Sequence, residues 1–200
     1  LSYADSESTD MTAQLLDNGY DVVVIDALYN SSIDVVDRIK ILMNELEITE
    51  DFIRCRKDAL NKSEVSNCPA IAIEVGKKII TGRETELLSA PSALIINTIK
   101  YLSKIPDNID LLSPAVLKPI LDLKGKKRVP LQLQEVLIAL SICSVTNPTV
   151  GDALKKLDKL KDCEAHASYI VTNGDLKALK DLKIRLTCEP KFYSDHMYLD

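Results

Sequence analysis

Two hydrophobic rhythms share the chain, one with a period near 3.6 residues and one of short β-branched runs. Asp21–Asp26 (DVVVID) reads as a short strand. After Ser31 or Ser32 as cap, Ile33, Val36, Ile39, Met43 and Leu46 fall three or four apart and form one helical face. Thr49 can cap a second short helix over 50–61. Residues 62–69 are polar and read as a linker ending at Pro69. AIAIEV at 70–75 and KIIT at 78–81 flank Gly76-Lys77, the pattern of a hairpin with a type II′ turn.

Pro91 suits the first turn of a helix reaching about 104, with Leu94, Ile95, Ile99 and Leu102 apolar. Ile109–Leu112 reads as a short buried strand. Ser113-Pro114 opens another helix, which Pro119 should shorten or kink. DLKGKKR is a turn. The stretch 132–145 is apolar on every side, which predicts a central, buried helix. Asn147-Pro148 opens the next helix, with Val150, Leu154, Leu157 and Leu160 inside and lysines 155, 156, 159 and 161 outside. Ala165–Val171 is a strand, Asp175–Leu182 a short helix and Lys183–Cys188 a last strand.

From residue 70 the order is hairpin, helix, strand, helices, strand, helix, strand. Strands joined by helical crossovers imply a mainly parallel sheet. The expected fold is α/β: a three-layer α/β/α sandwich with about five strands, mostly parallel, and one antiparallel edge hairpin. The expected organisation is a lead-in over 1–62, an α/β/α domain over 69–192 and a tail over 193–200.

Composition narrows the function classes. The chain has 200 residues, 46% apolar and 28% charged, with a net charge of −5 and a pI near 5.2. That is globular, and excludes a disordered, collagenous or mucin-like chain. Nonspecific binding to nucleic acid or an anionic membrane needs a cationic surface, so neither partner is expected. No apolar run reaches the ~18 residues of a membrane span. The five cysteines, at 55, 68, 143, 163 and 188, form no C-x-x-C pair. Neither a structural zinc site nor any other cofactor is expected, and the thiols suit a reducing, cytoplasmic setting. Cys143 sits in an apolar run and reads as core.

Longer stretches carry a family resemblance. IITGRETELLSAPSALIINTIKYLSKIPDNIDLLSP at 79–114, LQLQEVLIALSICSVTNPTVGDALKKLDKLKDCEAH at 131–166, LTCEPKF at 186–192 and VVDRIKILMNEL at 35–46 resemble the carboxy-terminal half of the family catalogued as domain of unknown function 1846. TG, LLSP, ALS, TNP and CE-x-H occur in the family's order. The resemblance implies a two-part protein whose amino-terminal half carries a glycine-rich, phosphate-loop-like segment. No G-x-x-x-x-G-K-[ST] or G-x-G-x-x-G occurs here. The family's role is unassigned, so the resemblance implies a fold-level neighbour and no activity.

The strand order is also similar, by analogy, to the cytidine deaminase topology. That fold places zinc ligands where this chain has Ser89-Ala90-Pro91 and Ser113-Pro114-Ala115, which offer no thiolate, imidazole or carboxylate. Deaminase chemistry is disfavoured.

Ser89, Ser113, Thr146 and Asn147 lie at predicted helix starts. As caps they satisfy orphan amides. If they converge at the carboxyl ends of parallel strands, with Arg83 adding a cation, they would hold a small anionic ligand. His166 is read as a structural histidine, with acid–base work as the alternative and a place in the same anion site open to it. His196 and the Gly125–Arg128 turn carry no specific reading. Three functions stay open: a noncatalytic ligand-binding or assembly domain of a cytosolic two-part protein; an enzyme domain completed by an amino-terminal half or a second subunit; and a structural oligomerisation domain. The expected partners are a small anion, that amino-terminal half, or a second copy.

Overall fold

The computed structural model describes residues 52–125, 129–189 and 191. The expected strand at 21–26, the helical face at 33–46, most of the 125–128 turn and His196 lie outside them. The described chain runs α1 (Arg56–Ser66), β1 (Ala70–Val75), β2 (Lys78–Arg83), α2 (Ala90–Ser103), α3 (Pro114–Lys124), α4 (Leu133–Thr146), α5 (Pro148–Leu154), a 3₁₀ turn (Lys155–Leu160), β3 (Glu164–Ala167), α6 (Asn173–Asp181) and β4 (Arg185–Cys188).

The fold is α/β, and the described strands form one mixed sheet in the order β2-β1-β3-β4. β1 is antiparallel to both neighbours, and β3 pairs with β4 in parallel. This corrects the five-stranded, mostly parallel expectation. The crossovers do join strands of like direction, β2 to β3 and β3 to β4. However, β1 lies between β2 and β3, so only one bonded pair is parallel. Among the described residues there is no fifth strand, because Ile109–Leu112 is irregular; Leu111 and Leu112 pack into the core from a loop. A deaminase-like strand plan does not follow from this order.

The hairpin forms as its residues dictate. Val75 pairs with Lys78 across a two-residue loop. Gly76 has φ +63° while Lys77 keeps a negative φ, as a turn with glycine first requires. Alternation along β1 then covers both sheet faces. Ile71 and Ile73 join the main core with Leu94, Ile95 and Ile99 of α2, Val136 and Leu140 of α4, and Leu179 of α6. Ala72 faces the other way, onto Cys55 and Ala59 beside and on α1.

Three expectations about helices change. Residues 62–66, expected as linker, complete α1, which ends at Asn67 in a left-handed cap and packs on the sheet. α3 runs on to Lys124 past Pro119, with no residue fully buried. α4 is not buried all round. Leu133, Val136, Ala139, Leu140 and Cys143 face the core, while Ile138, Ile142 and Val145 face outward. All-round apolarity predicts burial only when a neighbour covers each side, and no described element covers this one.

Candidate functional site at the carboxyl edge of the sheet

β2, β3 and β4 run in one direction, so Arg83, Ala167 and Cys188 end along one edge, beside Ala70 at the start of β1. Gly82 brings the first turn of α2 onto this edge. A Cβ built there would stand 2.3 Å from the Leu94 amide nitrogen and 2.7 Å from the Ala90 carbonyl oxygen. The start of α4 joins through a parallel bridge. The Leu131 amide donates to Leu87 O at 2.8 Å and the Ser89 amide to Leu131 O at 3.0 Å. The start of α6 closes the group. Gly174 leaves room for the Gln132 side chain, whose Oε1 would lie 2.3 Å from any Cβ there.

Three helix starts, at Ser89, Gln132 and Thr172, therefore meet. Such starts present free amides and positive dipole ends. The protein supplies its own anion to them. Asp175, 1% exposed, accepts from the Leu133 amide at 2.6 Å through Oδ1. Beside it the Thr172 hydroxyl caps α6, accepting from the Asp175 amide at 3.4 Å. Ser92 Oγ donates to Leu131 O at 2.8 Å, so the strap between the helices is satisfied as well.

Burial pushes the Asp175 carboxyl above its ordinary value, and the Leu133 amide, followed by the nearby Ser89 and Thr172 hydroxyls, offsets part of that. Glu84, half-buried just past β2, is also raised, by burial first and by the Asp175 charge second. Tyr169 beyond β3 is pushed well above its usual range by burial and then by these two acids. Two reluctant carboxyls and a phenol thus share the edge. The arrangement can hold helix starts in register, and at Glu84 it can hold a proton more readily than a free glutamate does.

The expected anion site is divided. Ser89 lies at this edge as the cap of α2, accepting from the Ser92 amide at 3.4 Å. Arg83 is exposed at the end of β2. Ser113, Thr146 and Asn147 lie at the far end of α4, about 20 Å along a 14-residue helix. There the Ser113 amide donates to Cys143 Sγ at 3.3 Å, Thr146 Oγ1 bonds back to Cys143 O at 3.4 Å, and Asn147 Oδ1 caps α5 through the Thr149 amide at 3.0 Å.

His166 lies elsewhere again, on the α1 face of the sheet. It pairs with Ala72 and Thr187 across the ladder and is 2% exposed. Nδ1 is 2.7 Å from Thr187 Oγ1, and Nε2 is 3.1 Å from Glu189 Oε1, the atom that also accepts from Arg56 Nε at 2.6 Å. Desolvation lowers its pKa from 6.5, and Glu189 opposes that. Both ring nitrogens are engaged and the ring is enclosed.

Sequence reasoning missed Asp175, Glu84 and Tyr169. Asp175 had a signal: Thr172-x-x-Asp175 is a helix-start pattern. That its carboxylate would reach another helix's amide lies 42 residues away in sequence. All five cysteines are free thiols, and Cys55 and Cys188 are pushed up to about 12 and about 11 by burial. Among the described residues no group of three or more His, Cys, Asp and Glu could hold a metal ion, and no helix is long and apolar enough to cross a membrane.

A family model described as domain of unknown function DUF1846, C-terminal, matches residues 51–198. The chain belongs to this family. A UPF0371 protein of Clostridium tetani (strain Massachusetts / E88) is 38% identical over 179 residues, covering 82% of this chain and 36% of the relative. A UPF0371 protein of Clostridium botulinum (strain Eklund 17B / Type B) is 39% identical over 178 residues, with the same coverage of each. The chain thus spans about a third of the length of these curated relatives. The TG of the family resemblance is the glycine that admits α2 to the sheet. LLSP is the loop and cap of α3, TNP the junction of α4 and α5, and the histidine of CE-x-H is the enclosed His166.

Proposed function

We propose that this is a noncatalytic assembly domain of a two-part protein, working as a rigid partner for other parts of a longer polypeptide. The observation that carries the reading is Asp175. Its carboxylate sits where an α/β sheet would offer helix starts to a ligand anion, and it already takes the Leu133 amide at 2.6 Å. The edge is therefore read as an internal lock and not an open anion site. The dispersal of Ser113, Thr146, Asn147 and His166 supports the same reading. A cytoplasmic setting, in keeping with five free thiols, belongs to this proposal.

Thermal unfolding of this chain in phosphate, sulfate and phosphorylated metabolites, against chloride at matched ionic strength, tests the locked edge. The expected result is no shift beyond chloride. A saturable shift, reduced by Arg83→Ala, would replace the lock with a ligand site. A second reading, an enzyme domain completed by another part of the polypeptide, is favoured by Glu84 alone, a half-buried acid raised by burial and by Asp175. It requires that Glu84→Gln abolish an activity of the full-length protein without changing the stability of the domain.

A further inference from the structure

The outward face of α4 is the least explained surface among the described residues. Gln134, Ile138, Ser141, Ile142 and Val145 line it. Glu135 is the one charged residue of α4; it stands one turn before Ile138 and is paired with Lys124 Nζ at 2.6 Å. Ile138, Ile142 and Val145 are 60%, 50% and 83% exposed. A surface helix ordinarily carries charge along its solvent side; here the sole charge is Glu135 in the first turn, already paired, and none follows it. At full exposure an aliphatic residue shows about 160–180 Å², so the three leave roughly 300–350 Å² of contiguous apolar side chain in water, the size of a functional patch.

We infer that this face is the docking surface for the amino-terminal part of the same polypeptide, an inference that rests on the assembly reading above. Two observations choose the occupant. First, relatives that align over 82% of this chain hold roughly two thirds of their length outside the aligned region. Second, a stable dimer buries about 800 Å² per partner, well above what this patch offers. A part tethered in the same chain meets the face at millimolar effective concentration, and contacts of a few hundred Å² per side are usual between domains of one chain.

Hydroxyl-radical footprinting of the full-length polypeptide, read by mass spectrometry, tests this with a matched pair of residues. Val65 on α1 and Val145 on α4 are the same residue type and are 88% and 83% exposed in this domain. Val145 should be oxidised at least about fivefold more slowly than Val65 in the full-length protein, with Ile138 and Ile142 protected beside it. I138E/I142E should remove that protection and separate a single thermal transition into two, whereas Val65→Glu should do neither. Equal oxidation of the two valines, with protection elsewhere on the domain, would overturn the docking face and leave the assembly reading standing. No protection anywhere, with two transitions already in the wild type, would overturn both. Protection lost on dilution, together with a halved mass by light scattering, would show that a second copy covers the face and overturn the intramolecular occupant.

Discussion

Gly82→Ala is a severe test of how α2 is seated. The added methyl would stand 2.3 Å from Leu94 N, 2.6 Å from Leu94 Cα and 2.7 Å from Ala90 O, all backbone atoms that cannot rotate away. Ordinary contact needs about 3.4 Å or more, so the helix must retreat by about 1 Å. α2 carries ten buried residues, among them Leu94, Ile95 and Ile99 at the centre of the core. A radial gap of ~1 Å forfeits up to about half of each affected dispersion contact, and overpacking of this kind costs ~1–3 kcal/mol, occasionally more. The expected loss is ~3 kcal/mol, or a fall in midpoint of roughly 6–12 °C for a chain of this size. Two other glycines calibrate the result. Gly76→Ala meets nothing within 4 Å but keeps φ +63°, so it should lose ~1–2 kcal/mol through backbone strain alone. Gly151→Ala, in α5 with its nearest contact at 3.8 Å, should gain ~0.5–1 kcal/mol. Urea unfolding followed by circular dichroism, with slopes held common, gives all three. The reasoning fails if Gly82→Ala costs less than Gly76→Ala, because α2 would then not be fixed by backbone contact with β2.

Asp175→Ala strands the buried Leu133 amide and should lose ~1–3 kcal/mol, whereas Asp175→Asn keeps an acceptor there and should lose less; equal losses in urea melts would show that the 2.6 Å bond is not what matters. Because the folded pKa of Asp175 is raised, its contribution is present below pH 3.8 and is lost as pH rises through the folded value. Asp175→Asn should therefore gain on wild type with rising pH across that window, and a constant gap between them from pH 3.5 to 7 would contradict the raised carboxyl. His166 has the opposite sign: its lowered pKa leaves stability intact above 6.5 and erodes it below, and an imidazole NMR titration with its midpoint above 6.5 would reverse that claim. Cys55, 0% exposed, should resist alkylation at pH 8 until the protein unfolds, since burial keeps its thiol protonated; rapid native labelling would refute its enclosure.

Much of the local structure was legible in short stretches of sequence, because local sterics and capping decide it. Gly76-Lys77 specified the hairpin, Ser89-Ala-Pro the start of α2, and Asn147-Pro the start of α5, each through a φ preference or an orphan amide that only those residues satisfy. The extended resemblance over 79–114 and 131–166 was legible too, since the family's residues keep their order. The strand order was not. It depends on β1 being flanked by β2 and β3 together, and a list of strands and helices contains no information about which strand lies between two others. The same limit governed the candidate site. Ser89 and Asn147 both read as helix caps, yet α4 holds them about 20 Å apart, and Asp175 became the centre of the carboxyl edge only when α6 folded against α4. Periodicity said that α4 was apolar all round; whether its outer side met a neighbour or water was decided by what else folded around it. Caps and turns are set by neighbours in sequence, whereas sites and interfaces are set by distances between residues far apart in it, and those distances exist only once the chain has folded.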